Sequence, residues 1–185
     1  MKKIYIDLGA HKGKTVLARC QNFDDDIIYA FEPNPACLSH ANWGRIRERY
    51  SHVHLIQKAA WTETGHIPLY RSPTRPNSEW SSVLREKKTG DLDFAHPLDA
   101  ECVDFSAWLA RTVALDDEVV IKMDIEGAEY AVLEKMVIDG TIERVMQLRA
   151  EFHEKKLAIP HIQAKHGALI ATLDRLDVDL VQFAH

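Results

Sequence analysis

The chain alternates short apolar runs with stretches of helical periodicity. Residues 3–8 (Lys-Ile-Tyr-Ile-Asp-Leu) and 27–32 are rich in β-branched and aromatic side chains, and each run leads through Gly or Pro into a helical pattern. Strand, helix, strand, helix is the order this predicts. Asn34 is a good cap and Pro35 suits the first helical position, where its missing N–H costs nothing, so the second helix is expected from there to about Tyr50. A third strand is predicted over 52–61, and Gly65 turns it into a partner strand over 67–71, forming a hairpin. Between 72 and 97 the periodicity dissolves into Pro, Ser, Asn and Gly, a length of loop that in a compact domain is usually functional or disordered. Regularity returns with a helix from its cap Asp104 to about Val113, a strand over 119–124 and a helix over 128–138 with Val132, Leu133, Met136 and Val137 on one side. A strand over 144–152 comes next, then a helix from Pro160 whose apolar stripe is Ile162, Leu169, Ile170, Leu173 and Leu176, then a last strand over 178–183. Such alternation predicts an α/β fold, a doubly wound and mostly parallel sheet covered on both faces. A single domain over 1–185 is expected, with no repeat or linker.

Composition narrows the class. With 46% hydrophobic and 28% charged residues the chain is neither disordered nor fibrous, and a net charge of −5 argues against a broad nucleic-acid surface. No run is long and apolar enough to span a bilayer, and the lysines and Asp7 near the start do not suit a signal peptide. Cys20, Cys37 and Cys102 are odd in number, far apart and without a C-x-x-C pair, which fits reduced thiols in a cytoplasmic protein.

In an open α/β sheet the ligand sits at the carboxyl ends of the strands, so the residues just past each strand carry the information. The first end reads Asp7-Leu8-Gly9-Ala10-His11-Lys12-Gly13, an acid and two glycines leading to a helix start, which lets backbone approach a ligand and offers N–H groups to a carboxylate. His11 and Lys12 stand where a dinucleotide fingerprint needs its second glycine, which counts against NAD. The second end, Phe31-Glu32-Pro33-Asn34, places a carboxylate where a ribose would lie, able to accept from both hydroxyls. The stretch Lys122-Met123-Asp124-Ile125-Glu126-Gly127-Ala128-Glu129 adds acids and a lysine at a third strand end.

Taken together in this order, the three motifs resemble those of FkbM-type methyltransferases, over residues 4 to about 153. The resemblance implies a Rossmann-like enzyme dependent on S-adenosylmethionine and usually acting on oxygen. Position by position, it implies a cofactor loop at Asp7, Gly9, Ala10, His11, Gly13 and Thr15, a ribose site at Glu32, Pro33 and Asn34, and an adenine neighbour in Ala59-Ala60. Asp124 would lie beside the sulfonium and the acceptor. Lys122 and Asp124 are two apart on a strand and share a face, while Glu126 lies past the strand end. Glu151 and His153 close the next strand, with His153 the proton acceptor suited to neutral pH. Asp124, Glu126, Glu151 and His153 are ligand types for a hard ion, but carboxylates at strand ends more often serve the cofactor, and no metal is expected.

The expected substrate is a small or sugar-like hydroxyl compound. Between Arg71 and Lys88 stand Arg71, Arg75, Arg85, Lys87 and Lys88 against only Glu79 and Glu86, whereas the next segment gathers Asp91, Asp93, Asp99, Glu101 and Asp104; a basic stretch over the rim suits an anionic acceptor, and a solvated, mobile loop is the alternative. The competing readings are methylation of an RNA 2′-hydroxyl, with Lys122, Asp124 and Glu151 as the lysine and acids, and a silent cofactor-binding protein. Methyltransferases of this fold usually end in an antiparallel strand pair, whereas only 178–183 follows the last helix here. One terminal strand is thus expected to be lacking, and an exposed edge of that kind favours a homodimer.

Overall fold

The computed structural model describes residues 1–23 and 26–184. Its elements are β1 (Lys3–Leu8), α1 (Lys14–Asn22), β2 (Asp26–Phe31), α2 (Pro35–Leu38), α3 (Ala41–Arg49), β3 (Val53–Ile56), β4 (Ala59–Trp61), β5 (Gly65–Leu69), β6 (Leu98–Asp104), α4 (Phe105–Thr112), β7 (Glu118–Met123), α5 (Glu129–Ile138), β8 (Gln147–Ala150), α6 (Ile162–Arg175) and β9 (Asp179–Gln182). Six strands form one sheet in the order β3-β2-β1-β7-β8-β9, every pair parallel. Three more form a small sheet, β4-β6-β5.

The period-2 alternation of the buried strands splits the core between two faces. Ile4, Ile6 and Leu8 of β1 and Val119, Ile121 and Met123 of β7 turn toward α4, α5 and α6, where Phe105, Leu109, Leu133, Met136, Leu169 and Leu173 meet them. Tyr5 and Ile28 turn the other way, onto Val16 and Cys20 of α1 and Trp43 and Ile46 of α3. Helices thus cover both faces of the main sheet. Chain order reverses between β1 and β7, which makes their carboxyl ends the switch point where ligands of such sheets bind.

Several elements differ from the sequence reading, each for a local reason. The helix expected over 35–50 breaks in two, because Ser39 Oγ donates back to the Ala36 carbonyl and the His40 ring accepts from Asn42 N–H, capping a new helix. The strand expected over 52–61 also divides. Lys58 N–H donates to the Ile56 carbonyl only two residues back at 2.8 Å, a tight turn that carries the chain from the main sheet into the small one. β5 does not pair with the strand before it; β6 lies between them, antiparallel to β5 and parallel to β4. The acids of 98–104 are the outward half of that strand, with Ala100 and Cys102 turned inward and Glu101 and Asp99 reaching Lys58 (2.7 Å) and His66 (2.9 Å). The strand expected over 144–152 shortens to β8, its first residue being the end of a one-turn 3-10 helix, Thr141–Arg144. Leu176 lies past the end of α6 and is 40% exposed, so it does not belong to the buried stripe. β9 pairs in parallel with β8 and forms one edge; among the described residues no antiparallel strand follows it in the main sheet.

Candidate functional site

A cleft opens at the carboxyl ends of β1, β2 and β7, lined also by Ala59 and Ala60 of β4 and by Ser78, Ser81 and Val83 of the long loop. Gly9 forms part of the floor with φ +84°, and a Cβ there would stand 2.0 Å from the Asp124 carbonyl oxygen. Only glycine lets the ends of β1 and β7 come this close, and the approach puts Asp124 beside Gly9 in one cleft.

Glu32 lines the cleft just past β2, and its carboxylate is held from behind. Oε2 accepts from His11 N–H at 2.7 Å and Oε1 from Asn34 N–H at 2.8 Å. Burial pushes its pKa up to about 7, while those two N–H groups pull the other way. Each carboxylate oxygen keeps a further lone pair for a ligand hydroxyl. Pro33 and Ala60 also line the cleft, together with Cys37 of α2, Leu69 of β5 and Lys58 of the turn between β3 and β4, which sequence reasoning had placed inside helices and strands. Burial pushes the Cys37 thiol up to about 12, so it is an apolar wall and not a nucleophile.

Other residues expected at the cofactor have internal tasks. Asp7 is fully buried and pairs in register with Lys122, whose Nζ lies 3.3 Å from Asp7 Oδ1, 3.3 Å from Asp124 Oδ2 and 3.1 Å from the Gly9 carbonyl oxygen. Burial raises the Asp7 pKa and Lys122 opposes this; for Lys122 burial acts downward, but Asp7 and Asp124 together hold its pKa above the ordinary value. Lys122 thus ties the ends of β1 and β7 together through Asp7, Asp124 and Gly9. Ala10 is buried in the core against α1 and α3. Gly13, at φ +71°, caps α1 where a Cβ would touch the Trp43 ring at 3.0 Å. Thr15 is exposed on α1 and is not part of the cleft wall. His11 directs its ring to the Asn77 carbonyl at 2.9 Å, and burial lowers its pKa. Asn34 is buried, caps α2 at Ala36 N–H and donates to the Pro76 carbonyl at 2.7 Å, pinning the loop. At the far end of β3, His54 is exposed and stacks on Tyr29, and His52 is half-buried against Tyr50.

Behind Asp124 lies an acidic cluster. Asp124 and Glu126 face the cleft, whereas Glu151 and His153 are buried and contribute nothing to its wall. His153, 1% exposed, is held at Nδ1 by Glu129 Oε1 at 2.9 Å. Its Nε2 faces Glu151 Oε1 at 3.5 Å, Glu126 Oε2 at 3.6 Å and Asp124 Oδ1 at 3.8 Å. Glu129 is fully buried at the start of α5, accepting from Ile125 N–H and Gly127 N–H at 2.9 Å each. The sequence signal for it was the acid in the first helical turn, two residues after Gly127. Lys87 of the long loop, counted from sequence among the cations of a basic rim, is buried instead and forms an ion pair with Glu126. Burial lowers its pKa to about 8.

The profile of the methyltransferase FkbM domain matches residues 7–179, nearly the whole chain. Neither the curated proteins nor the solved structures yield a match. The matched stretch begins at Asp7, at the end of β1, and runs through Gly9, Glu32, Asp124 and the acidic cluster to the start of β9, so it contains every wall of the cleft. The chain belongs to the FkbM methyltransferase family.

Proposed function

We propose that the protein transfers a methyl group from S-adenosylmethionine to a hydroxyl of a small or sugar-like acceptor. The observation that carries this reading is the pair of carboxylates, Glu32 and Asp124, in one cleft floored by Gly9. Glu32, preoriented by two backbone N–H groups, suits the two hydroxyls of a ribose. Gly9 gives a sugar or a short chain close backbone approach, and the apolar side chains of Ala59, Ala60 and Leu69 offer a slot for a flat base. S-adenosylmethionine, when bound, supplies a methyl on a sulfonium that already contains its leaving group. What remains for the chain is to align an oxygen and accept its proton.

Asp124, which lines the cleft, is the residue we assign to that task. Its Oδ2 is fixed by Lys122, its Oδ1 is turned toward the acidic cluster, and the side chain keeps 18% exposure to the cleft. His153, buried 3.8 Å behind Oδ1, acts on the acceptor through Asp124 rather than by contact. An anionic acceptor would find its cations in Arg85 and Lys88, both exposed on the long loop, since Lys87 is committed to Glu126. The test is methyl transfer from labelled S-adenosylmethionine to a panel of hydroxyl compounds, phosphorylated and not, by the wild type and Asp124→Asn. Loss of one proton-accepting carboxylate is expected to cut transfer by about a hundredfold or more, with cofactor affinity changed less than about tenfold. Equal transfer by the variant would remove Asp124 from the reaction.

A further inference from the structure

The geometry points to a divalent-cation site formed by Asp124, Glu126 and His153, with Glu151 at its edge, at the deep end of the cleft. One ligand atom from each of the first three lies within 4.8 Å of the others. Acidic residues alone would not make a site; the informative group is the imidazole. Glu129 holds His153 Nδ1, and because both Glu129 oxygens already accept backbone N–H groups, Glu129 is an acceptor that keeps the ring proton on Nδ1. Nε2 then presents a lone pair. It is buried, has no hydrogen-bond partner among the described residues, and looks toward three carboxylate oxygens 3.5, 3.6 and 3.8 Å away.

Lone pairs facing one another in a buried place repel unless a cation or a proton lies between them. The separations are longer than hydrogen bonds. They are close to the spacing of donor atoms around one ion, about 3.0–3.4 Å for bonds of about 2.1 Å. A carboxylate on the far nitrogen of a histidine is also the arrangement that orients metal-binding imidazoles.

Charge balance favours the same conclusion. Asp7, Asp124, Glu126, Glu129 and Glu151 gather here against two buried ammonium groups, Lys87 and Lys122, plus the half-exposed Lys156 at 3.7 Å from Glu151. Buried carboxylates without matching cations are costly, and a divalent ion offsets that cost. A set of oxygens with one imidazole nitrogen suits Mn²⁺, Fe²⁺ or Zn²⁺ better than Ca²⁺, which takes oxygen alone. An ion in this place would draw an acceptor hydroxyl toward Asp124 and lower its pKa; that role rests on the methyl-transfer reading, whereas the binding itself does not.

Electron paramagnetic resonance of Mn²⁺ titrated into the purified full chain tests the site without reference to turnover, because the sharp signal of free Mn²⁺ is lost on binding. One Mn²⁺ per chain is expected, with affinity reduced tenfold or more in His153→Ala and in Glu126→Gln and with Ca²⁺ a poor competitor. S-adenosylmethionine binding is measured on the same samples, and circular dichroism reports their folding. Mn²⁺ that stays free in folded wild type, or that binds wild type and both folded variants alike, would overturn the inference. Should both variants fail to fold, the wild-type stoichiometry and the weak competition by Ca²⁺ still decide it. Cofactor binding without Mn²⁺ binding sinks the ion site alone, and the reverse sinks the methyl-transfer reading alone.

Discussion

On the proposed reading, Glu32 sets the pH dependence of ligand binding at the cleft. Its pKa in the fold, about 7, lies above the ordinary 4.5 because burial disfavours the charge. Between those values the folded chain holds a proton that the unfolded chain has released, so this residue makes the unliganded protein lose stability as pH rises from 4.5 to about 7, after which its contribution is constant. Ligand affinity should run the opposite way. Ribose hydroxyls donate to a carboxylate, so binding strengthens as pH rises through about 7 and levels off above it. Glu32→Gln is expected to flatten both profiles and to weaken binding by about ten- to a hundredfold, the worth of about 1.5–3 kcal/mol for hydrogen bonds to a charged group. Calorimetry of S-adenosylhomocysteine binding across this range checks it, and a flat wild-type profile would exclude Glu32 as the ribose ligand. At this scale the sequence located Gly9, Glu32 and Asp124, each just past a strand end, and the structure brings the three together in one cleft. Asp7, Gly13 and Asn34 stand in the same motifs but are claimed by Lys122, Trp43 and the long loop, and spacing alone cannot distinguish a ligand contact from a contact inside the protein.

Among the elements, the 72–97 loop departs furthest from a solvated tether. Asn34 holds it at Pro76, Ser82 Oγ donates to the Glu126 carbonyl at 2.8 Å, and Lys87 pairs with Glu126 while its backbone bridges Leu157. The loop is therefore the roof of the cleft, fastened at both ends of the site. Removing one partner of a buried ion pair costs about 3–5 kcal/mol, because the other charge is left uncompensated. Lys87→Met should accordingly lower the unfolding midpoint and speed proteolysis within the loop, as followed by denaturant unfolding and limited digestion. A variant as stable and as resistant as the wild type would show that Lys87 does not anchor the roof. Sequence reasoning singled out the loop by its length but counted Lys87 among its solvent-facing cations, since no local pattern reveals a partner 39 positions away. β6 was missed for a different reason. Its period-2 alternation is present, but Asp99 and Glu101 read as a charge run until the facing Lys58 and His66 are known.

Across the whole molecule, the doubly wound topology was legible because long elements with strong periodicity leave few alternatives. The division into two sheets was not, since it depends on one tight turn at Ile56–Lys58 and on a strand inserted between two others. That division matters for the site. It moves Ala59 and Ala60 out of the main sheet to form a wall opposite Glu32, with the switch point between β1 and β7 beneath. The central claim, that this cleft holds S-adenosylmethionine, is tested most directly by calorimetric titration of the protein with S-adenosylmethionine and S-adenosylhomocysteine, using NAD as the control and Glu32→Ala as the variant. The account predicts binding of both adenosyl ligands at one site per chain, lost in Glu32→Ala, and no heat from NAD. A folded protein that takes neither adenosyl ligand, or one that binds them equally well without Glu32, would contradict it.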